Sequence, residues 1–268
     1  MKSKQIRRRK KKSIKQGTNK SLRFVGMNAA GMKSKLTTFK KLLNDLQPAI
    51  FFVVETKYEE EKKFKIDGYK IYELVRKNKS GGGLAIGCLD DLEADWVRQG
   101  DDQIEALSVQ ISLQQFNIRL CVAYGCQETD LVSRKESFWA YLDAEVRQAS
   151  ESETGFLLYF DGNLWAGEQI IPGDPRSQNR NGKLFQQFLE RHPHLTVVNS
   201  LPICEGLITR KRWNDGKLEE SVLDFFVVCD KILPFAEKMV IDEDKVHVLK
   251  NYKRVKNNGK ATDSDHNT

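Results

Sequence analysis

The run Ile50-Phe51-Phe52-Val53-Val54 is the tightest constraint on what this chain can become. Consecutive β-branched and aromatic residues suit a buried strand, and Pro48 just before them ends the preceding element. Comparable runs recur at Leu22–Met27, Leu84–Gly87, Phe156–Phe160, Leu195–Asn199, Leu207–Arg212 and Ser221–Val228. Ala106–Ser112 and Ile118–Tyr124 read as adjacent antiparallel strands joined by a turn around Gln114–Asn117. Between these runs the apolar spacing becomes helical. Lys35–Leu46 carries Leu36, Phe39, Leu42, Leu43 and Leu46, Arg134–Gln148 carries Phe138, Leu142 and Val146, and Lys183–Arg191 carries Leu184, Phe185, Phe188 and Leu189. Strand pairs that are partly hairpins, interleaved with helices, predict an α/β fold. Two sheets packed face to face with helices outside satisfy the pattern, a four-layer α/β/β/α sandwich.

Charge is distributed unevenly. Residues 1–20 hold Lys2, Lys4, Arg7, Arg8, Arg9, Lys10, Lys11, Lys12, Lys15 and Lys20 and no acid. The excess of 44 Lys and Arg over 37 Asp and Glu therefore lies in that segment, and the remainder is slightly acidic. Adjacent like charges repel and stay solvated, so residues 1–20 are expected to be a disordered basic tail and residues 21–268 the folded domain. Such a run suits nuclear import or phosphate contact, with the nucleus as expected location. No apolar segment follows it, so it does not read as a signal peptide. Ala49–Val54 and Phe156–Phe160 are far too short to span a bilayer, and no membrane partner is expected. Cys88, Cys121, Cys126, Cys204 and Cys229 form no CxxC pair and read as reduced core residues, not a zinc site. Gly81-Gly82-Gly83 is not a phosphate-binding loop, because no helix with Lys-Ser/Thr follows it.

The chemistry is concentrated where apolar runs stop. Asn28 follows Phe24–Met27, Glu55 follows Ile50–Val54, and Tyr124 follows Leu120–Ala123. Asp161 and Asn163 follow Phe156–Phe160, and Asp265 and His266 lie near residue 268. Polar groups at strand ends sit on a rigid scaffold, which is how many sites are built. Taken singly, Glu55 suits a turn or helix cap and Asp161-Gly162-Asn163 suits an ordinary turn. Asp224 differs, because it interrupts the apolar run from Val222 to Val228. A buried acid costs several kcal/mol unless paired, and a histidine is the obvious partner.

In order, these residues resemble the motifs of the endonuclease/exonuclease/phosphatase superfamily, whose members include abasic-site endonucleases, DNase I-like nucleases and the endonucleases of non-LTR retrotransposons. The matching segments are Met27-Asn28-Ala29-Ala30-Gly31, Val54-Glu55-Thr56-Lys57, Ala123-Tyr124, Asp161-Gly162-Asn163, Ser221-Val222-Leu223-Asp224 and Ser264-Asp265-His266. The resemblance spans Ser21 to Thr268 and implies a DNase I-like fold. It further implies that Glu55 binds Mg²⁺, with Mn²⁺ as a substitute and with Asn28 and Asp265 close by, since magnesium favours hard oxygen ligands and retained waters. It implies that Asp224 orients His266 toward the scissile phosphate, that Asp161 positions or deprotonates the attacking water, and that Asn163 donates to a phosphate oxygen. Tyr124 is implied near the leaving group, and His192, His194 and His247 are expected at the surface.

Three residues depart from the family pattern: Phe160 stands where Gly usually precedes Asp-x-Asn, Cys126 where many members have Pro, and Ala30 where abasic-site enzymes are acidic. Ala30 therefore disfavours the repair reading. Asn181-Gly182-Lys183-Leu184, the run Leu195–Ser200, and Thr209 before Ser221 resemble the retroelement branch. Arg210-Lys211-Arg212-Trp213 before the turn Asn214–Lys217 reads as a basic hairpin tip able to contact DNA. The resemblance implies an Mg-dependent endonuclease that nicks DNA to prime reverse transcription, alongside a reverse transcriptase domain in a longer polyprotein. The alternatives are an abasic-site repair endonuclease, a phosphatase or RNA deadenylase on the same fold, and an inactive DNA-binding module. No small-molecule cofactor is expected.

Overall fold

The computed structural model describes residues 21–58, 64–76, 82–101, 103–114, 116–244 and 246. In chain order the elements are β1 (Phe24–Asn28), α1 (Leu36–Leu46), β2 (Ile50–Val54), β3 (Tyr69–Leu74), β4 (Leu84–Leu89), β5 (Glu93–Gln99), β6 (Ala106–Ser112) and β7 (Asn117–Tyr124). There follow α2 (Val132–Glu151), β8 (Gly155–Asp161), α3 (Arg180–Arg191), β9 (Leu195–Val197), β10 (Cys204–Glu205), β11 (Arg210–Asn214), β12 (Lys217–Ser221), β13 (Asp224–Cys229) and β14 (Met239–Val240).

One sheet has the order β1-β2-β4-β3 and a second the order β5-β6-β7-β8-β13-β9, with β11-β12 and β10-β14 as small satellites. Period-2 alternation explains the layering. Phe51 points outward to Phe39 of α1, with ring centroids 5.1 Å apart, whereas Phe52 points inward to stack on Tyr159 at 5.9 Å and meets Phe226 at 6.0 Å. On the second sheet Phe160 and Phe225 face the other way, against Phe185 of α3 at 5.2 and 5.3 Å, and Trp139 of α2 edges onto Phe160. The result is the expected α/β/β/α sandwich. Its two middle layers are bonded by aromatic packing, each buried ring contributing about 1.5–3 kcal/mol. Gly26 of β1 is required by that packing, since a Cβ there would sit 2.4 Å from the Tyr159 ring.

Most elements match their sequence expectation, with shifted ends. The expected strand Ser221–Val228 divides, because Thr209 Oγ1 accepts from the backbone N–H of Leu223 and Asp224 at 2.8 and 3.1 Å and breaks the ladder there. Asp224 thus begins β13 and does not interrupt it. The expected strand Leu207–Arg212 starts only at Arg210, since the N–H groups of Leu207 and Ile208 donate to the Glu243 carboxylate. Leu195–Asn199 ends as a 3-10 turn at Val198–Ser200. His192 is buried and hydrogen-bonds Asp143 at 2.8 Å, which corrects its assignment to the surface; His194 is only partly exposed. His247 and residues 1–20 lie outside the described residues. All five cysteines are free, and Cys204 alone is not buried. Among the described residues no helix is long and apolar enough to cross a membrane.

Candidate active site

Strand direction brings the sequence-predicted residues to one end of the sandwich. β1 and β2 run parallel, so Asn28 at the end of β1 and Glu55 just past β2 emerge together. In the second sheet β7 and β8 are parallel with Tyr124 opposite Asp161, and β13 runs antiparallel with Asp224 opposite the same Asp161. Tyr124, Asp161 and Asp224 therefore form a row across three adjacent strands, facing the Asn28–Glu55 edge of the other sheet.

Asn28 joins the two sheets. Its Nδ2 donates to Glu55 Oε1 at 3.0 Å and to Asp161 Oδ2 at 2.8 Å, while its Oδ1 accepts from Ala30 N at 2.8 Å. The amide serves the carboxylates as a donor, and its oxygen holds the following turn. Glu55 Oε1 also accepts from the Tyr124 hydroxyl at 3.2 Å. Burial pushes the Tyr124 phenol well above its ordinary range, and the negative charges of Glu55 and Asp161 push it further, so it stays a donor. Asp161 Oδ1 accepts from Asn163 N at 3.2 Å, and Asn163 Nδ2 donates to Gly125 O at 2.9 Å. Asp224 Oδ1 accepts from the buried Tyr159 hydroxyl at 3.0 Å. Asn199 clamps the same strand, donating to Asp224 O at 3.0 Å and accepting from Phe226 N at 2.9 Å.

The backbone is unusual here. Ala30, Glu55, Lys57 and Asn163 all have positive φ, at 45°, 54°, 52° and 46°. Non-glycine residues take that conformation uncommonly; Gln47, Glu153 and Asp215 do so at a helix end and in turns, whereas the other four gather around this cluster.

Asp265 and His266 lie outside the described residues, so the structure brings together Asn28, Glu55, Tyr124, Asp161, Asn163 and Asp224 from the expected set. Among the described residues no three Asp, Glu, His or Cys side chains gather tightly enough to hold a metal by themselves. Glu55 nevertheless suits a hard cation: it is partly exposed at the site, and the Lys57 ammonium already sits 2.7 Å from its Oε2. A magnesium ion held through one or two carboxylates and several waters fits such a donor set.

Lys57, Tyr159 and Asn199 are the residues that sequence reasoning did not assign to the site. Lys57 follows the strand-end Glu55 by two positions, which was a usable signal; Tyr159 looks like any strand aromatic. The β11–β12 hairpin forms as expected, with Asp215 and Gly216 at positive φ in the turn. Trp213 is 72% exposed and Arg212 is exposed, whereas Lys211 lies 3.6 Å from Glu220 and 3.8 Å from Glu243. Arg210 is half-buried at the base of the same strand.

No family model matches the sequence, and no curated protein does. Solved structures do match. The endonuclease domain of TRAS1, a telomere-specific non-LTR retrotransposon, superposes with a TM-score of 0.66 at 18% identity, covering 92% of this chain and 95% of that one. The 3′-5′ exonuclease NExo from Neisseria meningitidis gives 0.65 at 18% identity, covering 91% and 95%. The AP endonuclease LMAP from Leishmania major gives 0.61 at 15%, covering 92% and 85%. The chain shares the DNase I-like fold of these structures over nearly its whole length.

Proposed function

We propose that this protein is a metal-dependent phosphodiester hydrolase that nicks DNA. The observation that carries the reading is the Asn28 amide, which ties the Glu55 and Asp161 carboxylates together across the two sheets, with Tyr124 donating to the same Glu55 oxygen.

In this reading Glu55, and Asp265 with it, would hold the cation, which when bound would supply positive charge against that building on the phosphate. Asp161 orients the attacking water and takes its proton; Asn28 and Asn163 N fix the carboxylate for that task. Asn163, whose side-chain amide faces both Gly125 O and the Tyr124 hydroxyl, donates to a phosphate oxygen that takes the place of one of these acceptors. Tyr124, kept protonated by its surroundings, donates near the leaving oxygen. Asp224, held by Tyr159 and Asn199, orients His266. The β11–β12 hairpin and residues 1–20 supply positive charge for the DNA backbone, and nuclear location belongs to the same reading. Likeness to the TRAS1 domain, together with Ala30 in place of an acid, favours a retroelement nickase that primes reverse transcription, with a reverse transcriptase domain as partner.

Supercoiled plasmid with Mg²⁺ tests this. Wild type should yield nicked circles, abolished by EDTA, and Asp161→Asn or His266→Ala should lower the rate by about a hundredfold or more. Plasmid left intact by wild type in both Mg²⁺ and Mn²⁺ would sink the reading.

A further inference from the structure

We infer that Glu105 is a positioning residue that locks the Glu55-bearing turn of one sheet to the Tyr124-bearing strand of the other. The inference rests on the nuclease reading above for its functional meaning, but its geometry stands apart from that reading.

Glu105 is 2% exposed and lies immediately before β6 in the six-stranded sheet. Its backbone carbonyl accepts from Tyr124 N at 2.9 Å, which continues the sheet past the end of the β6–β7 ladder. Its side chain crosses to the four-stranded sheet. There Oε2 accepts from Gly83 N at 3.1 Å, and Oε1 pairs with the Arg76 guanidinium. Gly82 and Gly83 pass the restraint on: Gly83 O accepts from Thr56 N at 3.0 Å, and Gly82 O accepts from Lys57 N at 2.8 Å. Glu55 is the residue before Thr56, and the Glu55 and Thr56 carbonyls accept in turn from Gly31 N and Met32 N at 2.8 and 2.9 Å. The buried carboxylate therefore stands two hydrogen bonds from Thr56 N, next to Glu55, while the backbone carbonyl of the same residue holds Tyr124 N.

The local sequence is shaped around this contact. Gly82 and Gly83 have φ of +69° and +88°, and added Cβ atoms would lie 2.4 Å from Glu105 Oε2 and 2.5 Å from Thr56 Oγ1. Only glycine allows the loop to come this close. A buried carboxylate is a poor way to gain stability when apolar packing is the alternative. What it supplies here is direction: two fixed acceptors that over-determine a turn whose residues 55 and 57 sit in a strained backbone region. Groups that hold a ligating carboxylate by such outer contacts tune metal affinity and rate without touching substrate.

The test uses Glu105→Gln, which keeps an acceptor for Gly83 N but loses the charge facing Arg76, and Glu105→Ala, which loses both. Four quantities are measured on the purified full chain: plasmid-nicking kcat, its KM, Mn²⁺ affinity by calorimetry without DNA, and thermal midpoint. Both kcat and Mn²⁺ affinity should fall by about ten- to a hundredfold in Glu105→Ala and by less in Glu105→Gln, with KM for DNA nearly unchanged. Should Glu105→Ala fail to fold, the Gln variant and Arg76→Lys carry the same readouts. A folded Glu105→Gln with wild-type kcat and wild-type Mn²⁺ affinity overturns the inference, as does a loss confined to the thermal midpoint. Failure of the nuclease reading looks different: wild type itself leaves plasmid intact, while the Mn²⁺ titration still reports whether Glu105 governs the Glu55 turn.

Discussion

Two clusters of buried polar side chains are built on opposite plans. At the strand ends, Glu55, Asp161 and Asp224 each accept short, directional hydrogen bonds from Asn28, Tyr124, the Asn163 amide or Tyr159, on a backbone with several positive-φ residues. Under α2, Glu145 is fully buried against Arg98 and Arg119, with ion-pair separations of 3.6 Å, and Arg98 also lies 4.5 Å over the Tyr141 ring. Those residues stand within helix and strand, Arg98 beside a register shift in β5, and none has a positive φ. Buried charge is common to both clusters, so burial is not what marks a site. The distinguishing features are position at strand ends and a backbone held in a conformation that packing alone would not choose.

The largest expected effect falls on the cluster under α2. Glu145→Ala leaves the buried Arg119 charge without its carboxylate, with Gln148 Oε1 at 3.2 Å as a neutral acceptor, and should destabilise the fold by about 3–5 kcal/mol. Replacing Arg119 and Glu145 together with methionine should recover most of that loss, because a well-packed apolar pair substitutes for a buried ion pair. Urea unfolding of the single and double variants measures both. Nicking per folded molecule should stay at the wild-type value; a Glu145 variant that folds but does not cut would erase the distinction between the clusters.

Glu55→Gln should behave in the reverse way. The amide oxygen can still accept from Asn28 and Tyr124, so stability should change by less than about 1 kcal/mol. Nicking should drop by about a hundredfold or more, a loss of about 3 kcal/mol in the activated complex. Unfolding midpoints and initial rates on the same preparations separate the two. A Gln variant that loses stability and rate in proportion would make Glu55 one more structural carboxylate.

This contrast also explains what could be read from the sequence. Ile50–Val54, Phe156–Phe160 and the three helices declared themselves through period and β-branched content, since burial dictates both. Tyr69–Leu74 and Glu93–Gln99 did not: each is an edge strand with exposed charged positions, so its pattern looks like loop. The candidate site was legible because most of its members follow an apolar run, so their positions are set by the strand before them; Asp224, which begins β13, stood out instead as an acid beside apolar neighbours. What was not legible is the wiring. That one Asn28 amide joins Glu55 to Asp161 depends on the pairing of two sheets distant in sequence, and no local pattern encodes it. His192 was misread for a related reason, because its partner Asp143 comes from another helix.

The smallest expected effect tests whether the β11–β12 hairpin belongs to the site or only decorates it. Trp213 is largely exposed and Arg212 extends from the same strand, so replacing both with alanine should leave the unfolding midpoint unchanged. DNA affinity should fall by roughly five- to tenfold, in keeping with one lost stacking contact. The slope of log affinity against log salt should become shallower by about one, the signature of one lost phosphate contact. Lys211→Ala should do less, because its ammonium already faces Glu220 and Glu243 and has less charge to give a phosphate. Fluorescence anisotropy over a salt series distinguishes these cases. A double variant whose salt slope matches wild type would leave the hairpin without a part in DNA contact and confine the interface to the strand-end cleft, while a fall in kcat at saturating DNA would extend the catalytic cluster to the hairpin tip.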